Sequence, residues 1–107
     1  MADGVRWVMV ARLSELRDGE VIGRQTEACA VALVRSGDQV FAVDDRCTHG
    51  DARLSDGFVL DDCIECPLHQ GQFDLRTGAP LCEPVTEPVR CYPVRIDGDS
   101  VQVGLAD

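Results

Sequence analysis

At 107 residues the chain has room for one core and therefore for one domain, 1–107, with no second module. Nineteen acidic against ten basic residues give a formal charge of −9, which excludes nucleic acid and anionic membrane as natural partners. No run is long and apolar enough to span a bilayer, and Met1-Ala2-Asp3-Gly4 lacks a basic segment backed by an apolar one, so a cytoplasmic protein is expected.

In chain order, Trp7 to Ala11 and Val21 to Gln25 read as strands, and the Leu13 to Gly19 connection has room for one helical turn. Ala28 to Arg35 and Gln39 to Asp44 flank Ser36-Gly37-Asp38, a hairpin signal. Phe58-Val59-Leu60 follows Asp56-Gly57, and Asp61-Asp62 turns the chain into a short strand at Cys63-Ile64-Glu65. Val94 to Ile96 and Val101 to Val103 flank a second hairpin signal at Asp97-Gly98-Asp99. Short strands with regular turns predict an all-β protein, a small antiparallel sandwich or barrel.

The chain contains only two histidines, each a short step after a cysteine. Cys47-Thr48-His49 and Cys66-Pro67-Leu68-His69 spell C-x-H and C-x-x-H, with residues 50–65 between them. Two thiolates suit one iron of a 2Fe–2S cluster and two neutral imidazoles suit the other, an exchange that raises the reduction potential to roughly −150 to +300 mV. Both pairs fall in loops leaving strands. Gly50, Gly71 and Gly78 offer backbone freedom there, or serve simply as turn residues.

The same residues admit other chemistry. Cys63-Ile64-Glu65-Cys66 is a C-x-x-C, half of a tetrahedral zinc site, and His69 with Cys47 or His49 would complete four ligands. Against this, Cys63 lies in a run that reads as strand. A thioredoxin-like pair wants a helix after its first cysteine, which Pro67 and the surrounding glycines oppose. Six cysteines as three disulfides would need an oxidising compartment. Cys29, Cys63, Cys82 and Cys91 are read as small apolar packing residues.

From Asp45 to Asp74, D-R-C-T-H-G-D-A-R-L-S-D-G and I-E-C-P-L-H-Q-G-Q-F-D, then R-T-G-A-P-L-C-E-P-V-T and C-Y-P-V-R-I, the chain resembles the Rieske-type ferredoxins of naphthalene- and nitroarene-type ring-hydroxylating dioxygenases. The resemblance implies a Rieske fold with one 2Fe–2S cluster held at one tip by two loops, in a region at about 45–84. It implies Cys47 and Cys66 on the buried iron and His49 and His69 on the outer one. Pro80 and Pro84 resemble the third, proline-containing loop that covers the cluster in this family, and plain loop stiffening explains them equally well.

Relatives in quinol-oxidising complexes carry a disulfide between the ligand loops and hydroxyls against the cluster sulfurs. The matching positions here are Ala52 and Leu68, and Gly71 and Phe73, so a potential at the low end of the range is implied. With both histidines spent on the cluster, none remains for a mononuclear iron or a general base, and no dinucleotide fingerprint is present. The implied role is a monomeric one-electron carrier, not an enzyme, fed by an NAD(P)H-dependent flavin reductase and emptied into a terminal oxygenase. The small Rieske subunit of an assimilatory nitrite reductase and a zinc-stabilised interaction module are the alternatives. Asp44, Asp45, Asp51, Asp56, Asp61, Asp62 and Glu65 lie close in sequence to the two loops, interrupted by Arg46 and Arg53, and predict an acidic docking face.

Overall fold

The computed structural model describes residues 5–48, 52–68, 70–82 and 87–106. Their strands are β1 (Val5–Arg12), β2 (Val21–Gln25), β3 (Ala30–Ser36), β4 (Gln39–Asp44), β5 (Phe58–Leu60), β6 (Cys63–Glu65), β7 (Gln72–Asp74), β8 (Pro80–Cys82), β9 (Cys91–Tyr92), β10 (Val94–Asp97) and β11 (Ser100–Ala106). The only helical pieces among these residues are two 3-10 turns, Leu13–Glu15 and Leu54–Asp56. None is long and apolar enough to cross a membrane. All named strands pair antiparallel, in three sheets ordered β1-β11-β10, β2-β3-β4-β9 and β5-β6-β7-β8.

The second sheet lies between two cores, and β3 shows why. Successive strand residues point to opposite faces. Val31 and Leu33 therefore pack on one side with Ala42, Tyr92, Val101, Val103 and Leu105. Ala32 and Val34 pack on the other with Val43, Leu54, Ile64, Cys66 and Phe73. Wetted on neither face, the run Ala30-Val31-Ala32-Leu33-Val34 is apolar throughout instead of alternating. The expected sandwich is the first and second sheets, and the small β5–β8 sheet covers the other face.

Both predicted hairpins form. Ser36 pairs with Gln39 and Asp97 with Ser100, leaving the two-residue turns Gly37-Asp38 and Gly98-Asp99. Gly37 and Gly98 have φ of 61° and 62°, as a turn with a left-handed first residue requires. Thr26 delays β3 past its expected start at Ala28. Its hydroxyl accepts the Ala28 and Cys29 N–H groups at 3.1 and 2.9 Å, tying residues 26–29 into a turn.

Candidate metal centre

The first cysteine–histidine loop closes as a hairpin. After β4, the Leu54 N–H donates to the Asp45 carbonyl at 2.6 Å, Arg46 and Arg53 form an antiparallel bridge, and the Cys47 N–H donates to the Ala52 carbonyl at 3.0 Å. Cys47 thus stands at the base of a four-residue tip, 48–51. The second loop repeats this between β6 and β7. Glu65 pairs with Gln72, and the Cys66 N–H donates to the Gly71 carbonyl at 2.7 Å, leaving 67–70 as tip. Gln70 takes a left-handed backbone, φ 63°, to make that turn. His49 and His69 belong to these tips by sequence but lie outside the described residues, as do Gly50, Asp51 and Pro84.

The matched construction brings the two cysteines together. Both are buried, and the Cys66 thiol is hydrogen-bonded to that of Cys47. Burial, then this thiol contact, pushes Cys66 up to about 11, while the Leu68 N–H, 3.4 Å from Cys66 Sγ, acts in the opposite direction. Two touching thiols away from water cannot both ionise unless a cation lies between them. A metal supplies that cation and deprotonates coordinating thiols outright. The described half of the donor set therefore fits one iron of a 2Fe–2S cluster.

Other contacts brace the loops. Thr48 Oγ1 donates to the Glu87 carbonyl at 2.9 Å, joining the first tip to the chain that follows residues 83–86. Gly78, at φ 79°, accepts the Val89 N–H at 2.9 Å, and a Cβ there would lie 2.1 Å from the Val89 carbonyl oxygen. It is a turn residue that also admits a neighbouring backbone. Pro80 opens the edge strand β8, where its missing N–H costs no ladder bond. Ala52 and Leu68 line one cavity of about 470 Å³ with Arg53, Asp56 and Pro67, so apolar side chains occupy the positions matched to the disulfide of the quinol-oxidising relatives. Phe73 is fully buried beneath the second loop.

The zinc pairing of Cys63 with Cys66 is not what the strand allows. Three residues apart on extended chain, the two side chains take opposite faces. Cys66 is in the core, whereas Cys63 sits half-buried on the outer face, opposite Leu60 and Asp74. Burial, followed by the charge of Asp74, raises the Cys63 thiol. Cys91 packs against the loop-side core, as expected. Cys82 does not pack: β8 is an edge, and its thiol is exposed. Cys29 pairs with the Tyr92 hydroxyl at 3.2 Å, a polar contact that sequence spacing does not reveal.

The expected acidic face needs one correction. Asp45 is buried, because its carboxylate turns inward to Ser55. Asp56 and Asp61 are exposed, Asp44, Asp62 and Glu65 are half-buried, and Arg46 and Arg53 are exposed between them. Asp62 meets Arg76 at 3.5 Å, and the Gln72 amide donates to Glu65 at 3.0 Å. Sequence reasoning missed the loop-closing hydrogen bonds and the inward turn of Asp45. Ser55, ten residues on, carried the only signal, a hydroxyl beside a turn.

Residues 6–93 match the Rieske [2Fe-2S] domain. The chain is 48% identical over 99 residues to the anthranilate 1,2-dioxygenase ferredoxin subunit of Burkholderia cepacia, covering 92% of each. It is 45% identical over 101 residues to the ferredoxin component of a naphthalene 1,2-dioxygenase system of Pseudomonas aeruginosa, covering 94% of this chain and 97% of that one. Its fold superposes with a TM-score of 0.85, at 38% identity and 91% coverage of both chains, on a chain from a complex of reduced oxygenase and oxidised ferredoxin in carbazole 1,9a-dioxygenase. On this match and these two hairpin loops, the chain belongs to the Rieske [2Fe–2S] family and is a ferredoxin-like, single-cluster member of it.

Proposed function

We propose that this chain is the ferredoxin of a multicomponent aromatic ring-hydroxylating dioxygenase or hydroxylase, a one-electron carrier with no catalysis of its own. The observation that carries the reading is the pair of matched loops, each with a buried cysteine at its base and a histidine in its tip. Cys47 and Cys66 would hold the inner iron, and His49 and His69 the outer one. When bound, the cluster takes up and gives back a single electron. The chain's part is to exclude water from the two sulfurs, to aim the Leu68 N–H at one of them, and to present exposed Thr48, Pro67, Leu68 and Gln70 to a partner.

Relatives named as dioxygenase ferredoxins, one of them in a complex with its oxygenase, support a terminal oxygenase as the acceptor. An NAD(P)H-dependent flavin reductase is the proposed donor, since nothing in this sequence resembles a nucleotide-binding fingerprint. A single-domain, monomeric carrier working in the cytoplasm completes the reading. The test is reconstitution. The purified protein should be brown, contain two irons and two acid-labile sulfides per chain, and couple NADH oxidation by a flavin reductase to reduction of a Rieske oxygenase. A colourless protein binding zinc would overturn the reading.

A further inference from the structure

Asp45 is the only buried charged side chain among the described residues, 4% exposed and two residues before Cys47. One of its oxygens accepts the Ser55 N–H at 2.7 Å and the other accepts the Ser55 hydroxyl at 2.9 Å. The main chain already closes this ladder, through Leu54 N–H to the Asp45 carbonyl and Asp45 N–H to the Ala30 carbonyl. A carboxylate is therefore not needed to join the strands, and burying one is costly unless its hydrogen bonds are made. A third element accommodates it. Gly23, inside β2, has no left-handed backbone to explain a glycine. A Cβ at that position would lie 2.8 Å from Ser55 Oγ and 3.1 Å from Asp45 Oδ2. Glycine in a strand interior weakens the strand and marks a close approach. Here what approaches is the carboxylate–hydroxyl pair.

We infer that Asp45 and Ser55, seated in the notch left by Gly23, form a positioning clasp that fixes the Cys47 loop and places a negative charge behind the metal centre. This rests on the reading of Cys47 as a ligand. Contacts behind metal ligands orient them and tune their basicity, and a fixed negative charge nearby disfavours the arriving electron. The clasp therefore slows cluster loss and lowers the potential.

The experiment compares wild type with S55A, G23A, D45N, D56N and C47A, each purified as the full chain with the cluster it retains. The measurements are iron and sulfide content, the half-life of visible absorbance under excess chelator, and the midpoint potential by voltammetry. Loss of a hydrogen bond behind a ligand costs about tenfold in metal affinity at the low end, so S55A and G23A should bleach about tenfold faster. S55A carries this arm alone should G23A not fold. Asn at 45 can keep both contacts while losing the charge, so D45N should raise the potential, and by more than D56N at an exposed neighbour. Wild-type bleaching in S55A, or a D45N shift no larger than that of D56N, would overturn the clasp. C47A with a full cluster would instead overturn the ligand reading beneath it, whereas an empty C47A beside wild-type-like clasp variants would overturn the clasp alone.

Discussion

Which way a cysteine faces decides its chemistry in this chain. Cys63 and Cys66 share one stretch of extended backbone, yet only Cys66 reaches the core and the thiol of Cys47. Cys66→Ser, His49→Ala and His69→Ala should each leave the protein without a stable cluster, because an open iron site is lost to water. Cys63→Ser, Cys29→Ser, Cys82→Ser and Cys91→Ser should keep wild-type iron, sulfide and visible spectrum. A bleached Cys63→Ser protein would reassign the ligands. Tyr92, the single tyrosine, gives a second readout. Burial first, and then its hydrogen bond with Cys29, raises its hydroxyl pKa above the ordinary value of 10.0. A raised pKa means that the fold holds the proton more tightly than the unfolded chain does. The stability it contributes is complete below pH 10 and is lost as pH rises further. Tyrosinate difference absorbance should stay absent at pH 10 in the folded protein and appear only above that, and an ordinary titration centred on 10 would refute this.

At the scale of elements, glycine contacts make the sharpest prediction. A Cβ at Gly57 would lie 1.9 Å from the Glu65 carbonyl oxygen, which is backbone and cannot turn aside. Gly57→Ala should therefore push β5 away from β6 and cost about 1–3 kcal/mol, the range of overpacked sites, seen as a lower denaturation midpoint. Long strands and hairpins were legible from the sequence, because Gly37 and Gly98 stand between apolar runs at the spacing a two-residue turn needs. The ligand cysteines were legible for a chemical reason, the scarcity of histidine. β7, β8 and β9 were not, since two or three residues are too few to show a period, and their place is set by the loops around them. Asp45 was unreadable because its neighbours in the sequence are acidic and exposed in habit. Its hydrogen bonds with Ser55 and the notch at Gly23 show where it points.

For the whole molecule, the formal charge is −9. Exposed Asp56 and Asp61 lie close in sequence to the two ligand loops, while exposed Asp38 lies in one hairpin turn and exposed Asp97 flanks another. Complementary charge acts mainly on the association rate of small, transient redox complexes, and the screening length falls to about 3 Å at 1 M salt. Second-order electron transfer from the proposed flavin reductase should slow as salt rises. Reversing Asp56 and Asp61 together should slow it more than reversing Asp38 and Asp97. Equal effects would reduce the steering to net charge, and no salt dependence would remove it.

β3 carries a different consequence. Its two faces belong to separate cores, so the body of the molecule and the lobe that grips the cysteines have one wall in common. Neither side can open by itself without stripping the other. Amide protons of Val31 to Val34 should exchange with solvent only through global unfolding, with the same free energy that a denaturant melt reports. Faster exchange there would show two lobes breathing independently. A carrier built around a shared wall stays rigid where it must reset unchanged after every electron.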